Sequence, residues 1–299
     1  MPNLITYLKL LAAVTAWGGT FIAAKYAVIE NSVEMAALLR FVASSILLLI
    51  ILYRKHGTFP ALNRFQLIYI TLLGLSGIAI YNLFFFFGLQ TVDAGRGALI
   101  ITSNPLWVAL GSAVFFGQRF RLINIIGLLF CVLGVSIVLS KGNLPELFSN
   151  GIGIGELALL GCALSWSTYT LLGKYIMHSA HPISPLILVT YSCISGTIIL
   201  AVWLLLSGQE MNISPTMNLI GAIGYLSAIG TVAGFIWFFD AVQKLGATQS
   251  SVFVFLVPVS AIIFGYILLD EKITLSLFIG AILIISGVYL TNKHNRSLK

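Results

Sequence analysis

Apolar stretches of roughly 20 residues recur along the whole chain, and only short polar breaks separate them, such as YRKHGTFPALNR at 53–64 and SKGNLPELFSNG at 140–151. A helix of that length crosses a hydrocarbon core about 30 Å thick. The stretches are continuous, whereas the strands of a membrane barrel alternate polar and apolar positions. Charged residues make up 8% of the 299 residues, against about 25% in ordinary soluble domains. The sequence therefore predicts an all-α polytopic membrane protein.

The breaks divide the chain into ten predicted transmembrane helices. None of the breaks is long enough to hold a soluble domain, so we expect the function to lie in the membrane-spanning part. The ten spans are predicted at 7–28, 34–53, 65–88, 94–117, 122–140, 152–174, 183–206, 216–241, 247–269 and 273–291.

The distribution of charge predicts the orientation. Most of the sixteen Lys and Arg residues fall on one side of the predicted membrane, together with both termini, while Asp240 is the one acid on that side. Basic loops stay in the cytoplasm under the positive-inside rule. We therefore expect an integral protein of the cytoplasmic (inner) membrane with cytoplasmic N and C termini. The net charge of +7 is explained by these loops, and we expect no nucleic-acid partner.

The two halves of the chain resemble each other. Pro105 and Pro258 lie 153 residues apart, and at that shift Gly127 meets Gly280 without gaps. At nearly the same shift, WGGTFIAAKYA from Trp17 resembles WSTYTLLGKYI from Trp166. This predicts two five-helix repeats, 1–145 and 146–299. Because five is odd, the second repeat must enter the membrane from the opposite side, an inverted topology typical of secondary transporters.

Several short motifs resemble EamA-type permeases of the drug/metabolite transporter superfamily. They are WGGTF…K in the first span, LLRF in the second, NP in the fourth, VP…LLDE in the ninth and GAILIISGVYL in the tenth. One departure is Gln118, where a glutamate is common in the family. The resemblance implies a ten-helix exporter of small metabolites, such as amino acids, their derivatives or amphiphilic compounds.

Prolines near the middle of the fourth and ninth spans predict broken helices. Pro105 and Pro258 remove the backbone donors that would bond to the carbonyls of Ile101 and Val254. We expect these carbonyls to lack a helical partner and the broken helices to line a central cavity, because unsatisfied backbone is tolerated in a membrane only where protein or water covers it. Gly230 and Gly234 form a GxxxG pair that permits close helix approach.

Polar and aromatic residues inside the spans are the candidates for substrate binding. Ionisable groups inside or near the spans are candidates for coupling to an ion or for attracting a charged group. The substrate-binding candidates are Trp17, Thr20, Tyr81, Asn82, Ser103, Asn104, Trp107, Trp166, Tyr169 and Trp237. The charged candidates are Asp240, Glu156, Lys25 and Arg40, of which Asp240 is also placed to pair with Lys244 one turn away.

No motif for covalent chemistry is present, so we expect no enzyme activity, catalytic residue, cofactor or metal site. Three lone cysteines in separate spans indicate neither a disulfide framework nor a metal site. We expect an alternating-access exporter of a small molecule, acting as a monomer or homodimer, with protons as a candidate coupling ion. Two alternatives stay open: efflux of lipophilic drugs or cations, and a non-transporting intramembrane enzyme or scaffold.

Overall fold

The computed structural model describes residues 2–28, 33–89, 91–92, 100–140, 143, 145, 153–208, 216–269 and 275–293, and this part of the chain is helical without any strand. The helices of the first half are α1 (Pro2–Val28), α2 (Val33–His56), α3 (Arg64–Gly74), α4 (Tyr81–Leu89), α5 (Asn104–Phe116) and α6 (Leu122–Leu139). Those of the second half are α7 (Ile154–Met177), α8 (Pro185–Ser207), α9 (Met217–Tyr225), α10 (Gly234–Leu245), α11 (Ala247–Ser251), α12 (Val257–Leu269) and α13 (Leu275–Lys293).

Polar caps at the breaks start and stop these helices. The side chains of Asn63, Ser184 and Thr216 accept hydrogen bonds from the first turns of α3, α8 and α9. Gly117 and Gly208 end α5 and α8 in the left-handed conformation, with φ of 62° and 67°. The apolar runs between these caps form the helices close to the predicted boundaries, and positions 94–99 of the fourth predicted span lie outside the described residues.

Within the described residues, five helical stretches are long and apolar enough to cross a membrane. Four other apolar stretches of the described part have 10–17 residues, and α7, with 24 residues, is not among the five. The all-helical membrane class is therefore confirmed. The five stretches are Leu4–Ala24, Glu34–His56, Arg64–Phe85, Pro185–Ser207 and Met217–Leu245.

Each half contains two interrupted helices at corresponding places. A first π-helical turn, Leu75–Ile80, joins α3 to α4, and a second, Leu226–Ala233, joins α9 to α10. Such wide turns inside α-helices are frequent at functional sites. Ahead of the prolines, residues 102–103 form a turn before α5, and Val252–Leu256 forms a 3₁₀ helix before α12.

The carbonyls in front of the prolines lack their α-helical amide donors, as expected, but both have other partners. The side-chain amide Nδ2 of Asn104 donates to the Ile101 carbonyl at 3.1 Å. In the second half, the tighter 3₁₀ winding lets the Val257 amide donate to the Val254 carbonyl. Local geometry thus satisfies both carbonyls, and neither requires a wet cavity beside it.

The halves are interleaved. Helix α1 packs against α9, α10 and α12 of the second half, and α7 packs against α3, α4 and α5 of the first half. The first helix of each half therefore packs against the third and fourth spans of the other half. The contacts of α1 and those of α7 follow this same pattern.

The last helices of the two halves, α6 and α13, pack closely along their length. A side chain at Gly127 would meet Thr291, whereas a side chain at Gly134, two turns later, would meet the Gly280 carbonyl. As the residue number rises along α6, the number of its neighbour on α13 falls. The two helices are therefore antiparallel, and small residues let their backbones approach.

Residues that correspond in the repeat touch one another directly. A pair of equivalent residues meets where a twofold axis passes between them, as in an isologous interface. Three contacts join residues 149, 152 and 153 positions apart, within the range of offsets of the repeat: Trp17 with Trp166 (5.5 Å between ring centroids), Ser45 with Thr197 (3.2 Å between hydroxyl oxygens) and Cys131 with the Ile284 carbonyl (3.7 Å).

Candidate functional site

Six aromatic rings meet where α1, α4, α7 and α10 come together. Trp166, near the middle of α7, contacts the other five rings, with centroid distances from 5.2 to 5.8 Å. Contacts of this kind contribute about 0.5–1.5 kcal/mol each beyond simple burial. We call this group the aromatic cluster, and it consists of Trp17, Tyr81, Trp166, Tyr169, Phe235 and Phe238.

Trp17 links the aromatic cluster to the second π turn. Its indole Nε1 donates to the Gly230 carbonyl at 2.8 Å, a long-range bond between the two halves. A side chain at Gly230 would lie 2.8 Å from the Thr20 methyl, and one at Gly234 would lie 2.5 Å from the Trp17 indole nitrogen. The two glycines therefore permit the close approach of α1, because any larger residue would push Trp17 and Thr20 away.

Helix α7 meets the first π turn in the corresponding way. Ser165 donates to the Ser76 carbonyl at 2.5 Å, and a side chain at Gly77 would collide with the ring of Tyr169. The Tyr169 hydroxyl lies 3.0 Å from the Ser192 hydroxyl on α8. Thr20 and Tyr169 thus face Gly230 and Gly77, which correspond in the two halves, so the site has the same approximate symmetry as the fold.

Arg40 of α2 reaches the second π turn from the other side. Its Nε donates to the Thr231 hydroxyl at 2.9 Å, and the two hydroxyls of Ser44 and Ser227 donate to its backbone carbonyl. Its terminal nitrogen Nη2 would lie 3.8 Å from a side-chain carbon at Gly230. Among the charged candidates whose side chains the structure describes, Arg40 is the one brought to the aromatic cluster.

The polar residues at the first proline are held largely by local bonds. The Ser103 hydroxyl donates to the Ile100 carbonyl at 2.6 Å and accepts from the Trp107 indole at 3.2 Å. Ser167, next to Trp166, donates to the Asn104 carbonyl at 3.0 Å. The Asn104 side-chain oxygen Oδ1 is buried and has no partner in the described part of the chain.

A cavity of about 700 Å³ lies beside the second proline rather than at the aromatic cluster. Its wall includes Leu256 and Ser260, on either side of Pro258, but also residues of α1 and α13. Ile285 and Tyr289 in this wall are 59% and 61% exposed. The cavity therefore opens sideways, toward the surface that would face lipid.

The other candidates with described side chains bond outside the aromatic cluster or make no described ring contact with it. The Lys244 ammonium is 2.8 Å from Asp240 in an exposed pair, and Glu156 accepts from the Gly153 amide at the start of α7. The Asn82 amide donates to Ile78 in its own helix, and Trp237 is not among the described ring contacts of the cluster. The side chain of Lys25 lies outside the described residues.

Sequence reasoning missed Phe235, Phe238 and the two π turns. The phenylalanines are indistinguishable by composition from those in FFFF at 84–87. A signal for the turns existed in the shared 153-residue spacing of Gly77 and Gly230, but a glycine alone does not predict a π-helical turn.

Comparisons with known proteins agree with this architecture. The model of the EamA-like transporter family matches residues 4–140 and again residues 153–293. The chain is similar to the uncharacterized transporter YyaM of Bacillus subtilis, at 29% identity over 96% of this chain and 93% of that protein. An uncharacterized transporter of Archaeoglobus fulgidus is 28% identical over 95% of this chain and 97% of its own length.

A solved structure described only as "Crystal structure of protein" shares the fold. Its TM-score is 0.81 with 18% identity, and the alignment covers 98% of both chains. At that identity the match supports the fold alone.

Proposed function

Because the chain belongs to the EamA-like transporter family, we propose that it exports a small metabolite, an amino acid or a derivative, across the cytoplasmic membrane. In this proposal, alternating access exposes a central site first to one side and then to the other. The single observation that carries the proposal is the contact of Trp17 with Trp166, the equivalent residues of the two halves, at the centre of the aromatic cluster.

The proposed topology has ten spans in two inverted halves, 1–145 and 146–299. The antiparallel packing of α6 against α13 supports it, because equivalent helices of inverted repeats run in opposite directions. The contacts between equivalent residues support an axis that lies in the membrane plane. The excess of basic residues beside the termini supports cytoplasmic ends.

The position of the aromatic cluster suits alternating access. Each tryptophan of the pair belongs to a helix that packs among helices of the other half. Rocking one half against the other would therefore change the Trp17–Trp166 contact and the bond from Trp17 to Gly230. A substrate held there would be released to one side or the other as those contacts change.

The lining favours an amphiphilic or zwitterionic substrate over a lipophilic cation. The aromatic cluster supplies apolar walls, Arg40 supplies a positive charge, and no described carboxylate contacts either. A cation would meet an unfavourable charge in this site. Because Asp240 is engaged by Lys244 in a partly exposed ion pair, we propose transport down a substrate gradient, without coupling to protons through Asp240.

Transport by reconstituted protein tests the proposal. We expect purified protein in liposomes to exchange labelled amino acids or related metabolites from a broad panel. Trp166→Phe should lower the flux several-fold, since the smaller ring loses part of its five contacts. Trp203→Phe is the matched control, because Trp203 on α8 is 49% exposed, and its flux should equal that of the unmodified protein.

Three results would count against the proposal. Absence of flux for the whole panel would favour a scaffold or intramembrane enzyme. Flux restricted to lipophilic cations would favour drug efflux. Equal flux in Trp166→Phe and Trp203→Phe would place the site away from the aromatic cluster.

A further inference from the structure

We propose that Arg40 is the anchor for a carboxylate group of the transported molecule, whose apolar part lies on the aromatic cluster. This inference rests on the proposed function and adds the chemical class that the site selects. It starts from the charge of Arg40, which the described side chains do not neutralise.

Arg40 lies about 10 Å along α2 from Val33, at about 1.5 Å per residue. A charge at such depth is costly and normally has a partner or reaches toward the interface. The bond from Nε to Thr231 directs the guanidinium into the bundle. The ion pair that the described part of the chain contains is Asp240 with Lys244, so no described carboxylate compensates Arg40.

The donors of Arg40 are mostly available. A guanidinium carries five N–H donors. One of them bonds to Thr231, and the four on the two terminal nitrogens have no hydrogen-bond partner among the described residues. The side chain is only partly buried, and its terminal nitrogens are not among the fully buried polar atoms without a partner. A planar fork of this kind matches the two oxygens of a carboxylate.

Arg40 and the aromatic cluster meet at adjacent residues of the second π turn. Arg40 bonds to Thr231, and Trp17 bonds to the adjacent residue, Gly230. Because Gly230 has no side chain, nothing from that position separates the guanidinium from Thr20 and Trp17. The ring of Tyr81 contacts Trp166 in the same cluster. A molecule with a carboxylate at Arg40 would therefore place its apolar part against these rings.

The single charge favours a carboxylate over a phosphate. One guanidinium, assisted by the neutral Thr231 hydroxyl, balances one negative charge. A phosphate monoester carries close to two negative charges at neutral pH and is usually held by several cationic or backbone donors. The carboxylate could belong to an amino acid or to a simple organic acid, and the two sources share the same chemistry at Arg40.

Binding to the purified full chain tests the inference. Thermal stabilisation would be measured with leucine and phenylalanine, their amides, the matching acids without the amino group, and inorganic phosphate. We expect stabilisation by the acids but not by the amides. Greater stabilisation by the amino acids than by the acids without an amino group would show that the protein also recognises the ammonium group of the ligand.

Variants assign the effect to Arg40. Arg40→Gln should weaken carboxylate binding by about 10–100-fold, the loss expected for a charge-assisted bond. Arg40→Lys should keep the preference for acids over amides at lower affinity, because lysine keeps the positive charge but not the paired planar donors of the guanidinium. Arg54→Gln, the same change at an exposed position of α2, should bind like the unmodified protein.

The outcomes separate the two proposals. Binding of amides as tight as that of acids, no stabilisation by any acid, tighter binding of phosphate, or unchanged affinity in Arg40→Gln would overturn the carboxylate anchor. If Arg40→Gln does not fold, loss of the acid preference in Arg40→Lys would overturn it instead. Carboxylate binding without flux would refute transport and leave the anchor, whereas flux of the acids that is insensitive to Arg40→Gln would refute the anchor and leave transport.

Discussion

The seam between α6 and α13 joins the last helices of the two halves, and Gly287 in its centre has no room for a side chain. A Cβ atom at Gly287 would lie 2.5 Å from the Gly127 carbonyl oxygen and 2.8 Å from the Cys131 amide nitrogen. Both neighbours are backbone atoms of α6, so Gly287→Ala can be accommodated only if the two helices separate by several tenths of an ångström.

The size of the effect follows from two opposing contributions. Overpacking of a tight interface costs about 1–3 kcal/mol. Replacing a helical glycine by alanine returns about 1 kcal/mol through helix propensity. Separation of the helices would also stretch the bond from the Asn124 amide to the Thr291 carbonyl, which is 3.0 Å long. Gly287→Ala should therefore lower the free energy of unfolding by up to about 2 kcal/mol.

Gly221→Ala provides the matched control. Gly221 also lies within a helix, α9, but a Cβ atom there would meet nothing within 4 Å. The helix-propensity gain is common to both variants, so Gly287→Ala should be less stable than Gly221→Ala by about 1–3 kcal/mol. That difference corresponds to several degrees in the unfolding midpoint.

Thermal unfolding in detergent measures this difference. A thiol-reactive fluorescent dye reports unfolding, because Cys131, Cys162 and Cys193 are free and buried. Loss of monodisperse protein after heating gives a second readout that does not depend on Cys131. Equal midpoints for Gly287→Ala and Gly221→Ala would refute the reasoning, because the backbone contact of the seam would then have no energetic consequence.

Two further predictions concern the repeat and the coupling. In a cysteine-free background, Ser45→Cys with Thr197→Cys should form a disulfide between the halves, since the native hydroxyls are 3.2 Å apart. After cleavage at a protease site inserted in 141–152, the two halves should then stay together on a non-reducing gel, whereas the control pair, Ser45→Cys with Ser207→Cys, should separate. Separation of the halves in the first pair would contradict the proposed axis. Asp240→Asn should lower the free energy of unfolding by no more than about 0.5 kcal/mol, the value typical of a helical ion pair near the surface. It should leave the pH profile of flux unchanged, and a displaced profile would show that Asp240 takes part in coupling.

Much of the candidate site could be predicted from the sequence, because the internal repeat pairs residues of one half with residues of the other. Trp17 and Trp166 were singled out as equivalent positions, and the structure places their rings in contact. The internal partner of Arg40 could not be predicted, because Thr231 lies 191 residues away and belongs to the second π turn, which the sequence did not reveal. The partners of the proline-adjacent carbonyls were missed for a local reason: a side-chain amide and a 3₁₀ turn replaced the absent helical bonds.

The sequence by itself determined the all-helical membrane class, the approximate helix boundaries and the division into two similar halves. It could do so because apolar length and a repeated spacing are properties of the chain alone, whatever the packing. Only the tertiary structure decided which rings meet, which charge faces the interior and where the cavity opens. These depend on contacts between residues distant in sequence, such as Trp17 and Gly230, 213 positions apart, and such contacts arise only when α1 and α7 are each packed among the helices of the opposite half.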